Sequence, residues 1–349
     1  MIDKFTIGRR GLLGSVAGAA ALGLTGAARA QKPLVLGFIY VGPRDDYGYN
    51  QAHAEAAAVL KKMPGVKVVE EEKVPETVAV EKSMESMINM DGATLLFPTS
   101  FGYFDPHILR MAEKYPKVRF AHCGGLWTEG KHPKNVGSYF GYIDECQYLN
   151  GVIAGHMSKS GKIGAVAGLE GLPNMVASMG GFRLGARSAR PDIEVRIVYL
   201  QSMEDPAAAK EAAFSLIGGG ADVVGGKLNA GHAGLVQAAK EKGVWTIGRS
   251  FGHTQIAPER VLTNINEKWS EVYATAVPEL LAGRLQGPYI AFGYDTKGTT
   301  GGELRYSSER EFNADVPPAV ATEIDGIKKK FASGALKVKP TKDDARSGA

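Results

Sequence analysis

The sequence predicts an α/β protein of two lobes, each a doubly wound parallel sheet flanked by helices. Three observations carry that prediction. Short apolar runs rich in Val and Ile alternate with longer helical patterns over most of the chain, the form that right-handed βαβ units take in a sequence. About ten such runs occur, which crowds a single open sheet. The chain has 349 residues and is 44% apolar, enough for about two domains with sizeable cores. No linker rich in Pro or Ser divides it, so the lobes are expected to be joined by several short crossings.

The first thirty residues stand apart from this pattern. "MIDKFTIGRRGLLGSVAGAAALGLTGAARA" has a charged start, the pair Arg9-Arg10, an apolar run of small residues over 11–26, and Ala28-Arg29-Ala30 before Gln31. That is the layout of an export signal cleaved after Ala30, and the paired arginines before Gly11-Leu12-Leu13 give it a twin-arginine character. Glycines interrupt the run, and it is short for a membrane span. No cysteine lies near the cleavage site, so the expected product is a freely soluble periplasmic protein without a lipid anchor. Lys4, Arg9, Arg10 and Arg29 leave with Asp3, and the formal charge of +4 falls to +1. Such a balance gives no reason to expect nucleic acid or an acidic membrane as partner. Cys123 and Cys146 are too few for a disulfide framework; one bridge or two buried thiols both fit.

From Leu34 the elements follow in order. "LVLGFIYV" (34–41) is a strand ending at Gly42-Pro43, and Asp46, Tyr47, Tyr49 and Asn50 gather before an Ala-rich helix over 49–63. "VKVVEEEKV" (66–74) precedes a helix over 77–90. "ATLLFPT" (93–99) ends at Ser100, Phe101 and Tyr103 before a helix over 105–115. "VRFAHCG" (118–124) carries His122 and leads to Trp127, and "NVGSYFGYI" (135–143) precedes a helix over 145–159. "KIGAVAG" (162–168) ends at Glu170, Pro173 and Asn174, where a helix over 174–190 begins. "EVRIVYLQ" (194–201) leads to a helix over 205–218, and "DVVGG" (222–226) leads to Asn229, His232 and a helix over 231–242. "VWTIGRS" (244–250) brings Arg249, Ser250 and Phe251, and "VLTNIN" (261–266) precedes a helix over 267–284. The first lobe is expected over 31–144 with about 267–293, and the second over 145–266 with about 294–336. The stretch 337–349 reads as a polar, frayed tail.

Catalytic patterns fit this layout poorly. "GRSFG" matches a nucleophile elbow at Ser250. The segment after it, "HTQIAPER", contains Pro258 and no long apolar helix, and His253 is the only later histidine. "ADVVGGKL" fails as a phosphate loop because Ala221 and Leu228 replace a glycine and the hydroxyl residue that would hold magnesium. His122 beside Cys123 lacks a visible third metal ligand, and Asp45-Asp46 reads as a turn. No enzyme, cofactor or metal is therefore expected.

The polar and aromatic residues fall instead at the carboxyl ends of strands, where open parallel sheets bind ligands. The expected ligand-binding set is Asp46, Tyr47, Tyr49, Asn50, Phe101, Tyr103, Trp127, Pro173, Asn174, Asn229, Arg249 and Phe251. A flat ring stacked on aromatic side chains gains about 1–3 kcal/mol per face, and amides such as Asn50 both donate to and accept from its edge. A phosphorylated ligand would need helix N-termini backed by clustered cations, whereas Arg44, Lys227 and Arg249 are dispersed.

Several segments then carry a resemblance. "YNQAHAEA", "FPTSFGYFDP" and above all "CQYLNGVIAGHMSKSGKIGAVAGLEGLPN" resemble the basic membrane protein family of ABC-transporter solute-binding proteins, which includes purine nucleoside receptors. "GFRLGARSARPDIEVRIVYLQSMEDPAAAKEAAFSLIGGGADVV" and "LVQAAKEKGVWTIG" continue the likeness, which covers roughly 34–294. The resemblance implies a type I two-lobed periplasmic binding protein, a monomer that hands a small molecule to a membrane permease. It puts Asn50 on the ligand edge and Phe101 and Tyr103 in an aromatic loop. Nucleoside-binding members carry an aspartate after the "IG" strand, where this chain reads "GRSFGHT". A free purine base or related heterocycle is then the expected ligand, with Arg249 favouring an anionic one such as urate or xanthine. A receptor of the same fold for a nucleoside or a sugar is the alternative, and a hydrolase using Ser250 is the reading of another class.

Overall fold

The alternating apolar runs do become strands. The computed structural model describes residues 33–141, 144–250, 252–282, 289–292 and 301–348; the export signal expected over 1–30, and Phe251, lie outside the described residues. In chain order the strands are β1 (Leu34–Ile39), β2 (Val66–Glu71), β3 (Leu95–Pro98), β4 (Arg119–His122), β5 (Val136–Gly141) and β6 (Lys162–Gly168). They continue as β7 (Glu194–Leu200), β8 (Val223–Lys227), β9 (Trp245–Gly248), β10 (Val261–Glu267), β11 (Tyr289–Phe292) and β12 (Gly302–Leu304). The helices are α1 (Tyr49–Leu60), α2 (Val78–Asn89), α3 (Leu109–Lys114), α4 (Asp144–Met157), α5 (Pro173–Ala189) and α6 (Pro206–Gly218). After them come α7 (His232–Lys242), α8 (Gly252–Ile256), α9 (Trp269–Leu281), α10 (Pro318–Ala332) and α11 (Lys342–Ala345).

Two six-stranded sheets result, ordered β11-β5-β4-β3-β1-β2 and β12-β10-β9-β8-β6-β7. Every pairing between these strands is parallel except β10 with β12. Because successive side chains leave a strand on opposite faces, each strand feeds two cores. In the first sheet Leu36 and Phe38 pack with α1 and α9, while Val35 and Ile39 pack with α2 and α3. In the second, Ile163 and Ala165 pack with α4, α5 and α10, and Val166 packs with α6 and α7.

Local chemistry fixes the helix ends. Asp205 caps α6 by accepting from the amides of Ala207 and Ala208 at 3.0 Å, with Pro206 as the first helical residue. Gly243 ends α7 in the left-handed conformation at φ +69°. Helices α4 and α5 meet backbone to backbone: a Cβ on Gly151 would lie 2.0 Å from the Phe182 carbonyl oxygen, and one on Gly185 2.0 Å from that of Tyr148. Only glycine permits that approach.

The structure departs from the sequence reading toward the C-terminus. Strands β11 and β12 and helices α8, α10 and α11 were not foreseen. The tail is docked, not frayed. Arg183, 1% exposed, donates to the carbonyls of Asp343, Asp344, Arg346 and Gly348, and to that of Val195 on β7. Gly348 pairs with Ile197, and Ala345 is buried in the core. A buried guanidinium with five N–H donors needs acceptors that side chains nearby do not supply, and the tail's carbonyls provide them. Both cysteines are buried, with no disulfide between them.

Candidate functional site

Each sheet reverses its winding once, between β1 and β3 in the first lobe and between β6 and β8 in the second. Helices diverge at such a point and leave a crevice beyond the strand ends. Val41 follows β1, Ser100 and Phe101 follow β3, Leu169 follows β6, and Lys227 ends β8. All of them line one cavity of about 390 Å³, within the range of small-molecule sites. The lobes touch around it: a Cβ on Gly42 would lie 2.7 Å from Glu204 Oε2, and one on Gly252 would lie 3.0 Å from the Tyr47 ring.

Three aromatic side chains, Tyr49, Phe101 and Trp269, line the cavity. The Tyr49 hydroxyl donates to the Thr99 carbonyl at 2.7 Å and lies 3.1 Å from Cys123 Sγ. Burial pushes that hydroxyl well above its ordinary pKa, and pushes the Cys123 thiol up to about 12. Neither ionises at neutral pH, so Cys123 is a wall of the cavity and not a nucleophile.

The polar part is a network around Arg249 and a separate group around Lys227. Arg249 donates to Glu267 Oε1 through Nε at 3.0 Å and Nη2 at 2.7 Å, and through Nη1 to the Leu228 carbonyl at 2.6 Å and Asn229 Oδ1 at 3.0 Å. The Trp269 indole donates to Glu267 Oε2 at 2.8 Å, and the guanidinium sits 5.2 Å from the Tyr49 ring centre. Glu204 accepts from Asn229 Nδ2 and from the Ala230 amide; burial raises its pKa, against the lowering effect of those two bonds. Lys227 donates to Ser178 Oγ at 2.9 Å and to the Asn174 carbonyl at 3.4 Å. Asn174 Oδ1 is buried without a hydrogen-bond partner among the described residues.

Of the twelve residues expected from sequence, Tyr49, Phe101, Asn174, Asn229 and Arg249 line this cavity. Phe251 lies outside the described residues, and the other six are elsewhere. Asp46 accepts from the amides of Gly48, Asn50 and Gln51 and so fastens the start of α1. Asn50 is fully buried, donating to Asp46 and accepting from the Gly42 amide, and is absent from the cavity wall. Tyr47 is 43% exposed at φ +55°. Tyr103 is in the core with its hydroxyl on the Val74 carbonyl, and Trp127 packs beside that core with its indole on the Pro133 carbonyl. Pro173 is the exposed first residue of α5. Arg249 is in place, but Glu267 already meets its charge. His253 Nδ1 accepts from the amides of Arg249 and Ser250, so that nitrogen is not available to activate Ser250. Both ring nitrogens of His122 are likewise engaged, with the Ser100 carbonyl and the Gly124 amide.

Sequence reasoning missed Glu76, Glu204, Glu267 and Trp269. Each lies at or just beyond a strand's carboxyl end, since Glu76 follows β2, Glu204 follows β7, Glu267 ends β10 and Trp269 follows it, so the rule that found the others reaches them too. The missing weight was given to aromatics clustered in short motifs.

Two lobes closing on a cavity of this kind define a solute-binding protein. A family model described as "ABC transporter substrate-binding protein PnrA-like" matches residues 34–311, and the chain belongs to that family, the solute-binding components of ABC transporters. It is 33% identical over 272 residues, 77% of this chain and 75% of the relative, to a purine-binding protein of Brucella abortus. It is 30% identical to a putative ABC transporter glucose-binding protein of Haloferax volcanii, over 74% of this chain and 64% of that one. A solute-binding protein of Aeropyrum pernix shares the fold with a TM-score of 0.74 at 22% identity, covering 88% of this chain and 94% of that chain. The type I periplasmic binding fold is thereby established. Among the described residues no helix is long and apolar enough to cross a membrane.

Proposed function

We propose that this chain is the periplasmic receptor of an ABC importer and that its cargo is a purine base or a closely related heterocycle. The observation that carries the reading is the cavity itself: about 390 Å³, walled by Tyr49, Phe101 and Trp269 and edged by Asn174, Asn229 and Lys227. The likeness to the purine-binding protein of Brucella abortus supports it. Aromatic walls offer a planar ring about 1–3 kcal/mol per stacked face, and the amides read its edge. The segment directly after β9, "RSFGHT", carries no carboxylate where nucleoside-binding members have an aspartate, which favours the base over the nucleoside.

Both lobes contribute to the wall, so a bound ligand stabilises the closed arrangement in which they touch. The closed form is then the one a permease recognises, with the receptor acting as a monomer. Export through the signal over 1–30 would place it in the periplasm. A thermal-shift panel of purine bases, nucleosides and glucose, followed by calorimetry on the hits, tests the reading. A base is expected to raise the melting temperature while its nucleoside does not; at a hundredfold excess over Kd the gain is about 2.7 kcal/mol. Stabilisation by glucose alone would transfer the cargo to the class named for the Haloferax relative.

A further inference from the structure

The cavity holds two buried cations whose charges are met differently. Arg249 is closed in by Glu267, Asn229 and the Leu228 carbonyl, and the pair is neutral. Lys227 is 3% exposed and lines the same cavity at the second lobe's switch point. Its hydrogen-bond partners are the Ser178 hydroxyl and the Asn174 carbonyl, both neutral, and among the described residues no carboxylate lies within ion-pair distance. Asp144 and Glu267 attract it from farther away and Arg249 repels it; Glu204 lines the cavity as well, already bonded to Asn229. An ammonium has three donors, and here two are used, one of them at 3.4 Å. A buried charge without a counter-ion is costly, so its place on the wall of a cavity calls for a charge from the occupant.

We propose that Lys227 is the counter-charge for an anionic ligand, and that the site selects an oxopurine bound as its anion over a neutral purine. This rests on the purine reading above. The ligand's anionic edge lies against Nζ, its remaining N–H groups face acceptors such as the unpartnered Asn174 Oδ1, and its ring faces lie on the aromatic walls.

Proton linkage gives the proposal a signature of its own. Burial, then repulsion from Arg249, lowers the Lys227 pKa to about 7. Above that pH the empty site holds mostly the neutral amine, and an arriving anion restores the proton. Calorimetry on the mature chain with urate, xanthine and adenine, in buffers of different ionisation enthalpy, reads both affinity and proton uptake. Urate is expected to bind at least tenfold tighter than adenine, with uptake small at pH 6 and approaching one proton per complex at pH 8. Lys227→Met is expected to remove that uptake and bring urate and adenine within threefold. Adenine binding as tightly as urate to the unaltered chain would overturn the proposal and leave the purine reading standing, and so would a urate preference and uptake that survive in the variant. Binding of none of the three purines would overturn the purine reading itself. Should Lys227→Met not fold, the urate-to-adenine ratio and the pH course of uptake in the unaltered chain decide alone.

Discussion

At the scale of single residues, the site is dominated by a buried charge pair. Arg249 and Glu267 are 4% and 2% exposed at the side chain, and removing one partner strands the other. Glu267→Gln is expected to cost about 3–5 kcal/mol in urea denaturation, whereas the double change Arg249→Met with Glu267→Leu should cost less than the single one. A double variant weaker than Glu267→Gln would show that the pair contributes more than mutual neutralisation. Phe101 stands at the rim with its ring half-buried, so Phe101→Ala should leave the far-ultraviolet circular dichroism unchanged. It should weaken purine binding by about 1–3 kcal/mol, roughly 5- to 150-fold. Unchanged affinity would remove Phe101 from the stacking wall. Residue identity alone misled at Asn50: an asparagine opening a helix beside a strand end looks like a ligand contact, but its amide closes on Asp46 and Gly42.

At the scale of elements, the second lobe is held by two devices that local sequence does not announce. One is the glycine-mediated contact of α4 and α5. The other is the C-terminal strap over β7, where Arg183 gathers five backbone carbonyls. Arg183→Met removes all five of those bonds, four part-buried and the one to Val195 buried, for an expected loss of about 2–4 kcal/mol. Deletion of 341–349 should lower the melting temperature comparably, since it uncovers Arg183 and removes Ala345 from the core. A deletion that leaves the melting temperature unchanged would mean that the strap only covers β7. Helix α10 was legible in principle, because Val320, Ile324, Ile327 and Phe331 recur at helical spacing and are its buried residues.

For the whole molecule, stability should depend on pH through histidines enclosed by both lobes. Burial lowers His122 and His232 to about 4, and takes His53 and His253 well below 6.5. A folded-state pKa below the unfolded one means that the unfolded chain binds protons first as pH falls. Their contribution is therefore complete above about pH 6.5 and is lost progressively toward pH 4. Each such histidine adds a slope of roughly 1 kcal/mol per pH unit within that window. Urea unfolding at pH 7.5 and pH 5 should differ by several kcal/mol, with the lower value at pH 5. Equal stability at the two values would show that these rings are not held neutral by the fold.

By itself the sequence determined the alternation of strand and helix, the two lobes and the strand ends at which to look, because periodicity of apolar residues and the punctuation between elements are local properties. It also carried the family likeness, spread over motifs that survive as text. Only the tertiary structure decided which strand-end residues share a cavity. Asp46, Asn50 and Tyr103 turned inward to cap and pack, while Glu204 came to the same cavity as Glu267 and Trp269 from a segment far away in the chain. The physical reason is that a buried polar group must find its partner wherever the packing puts one, and no spacing along the chain encodes that distance.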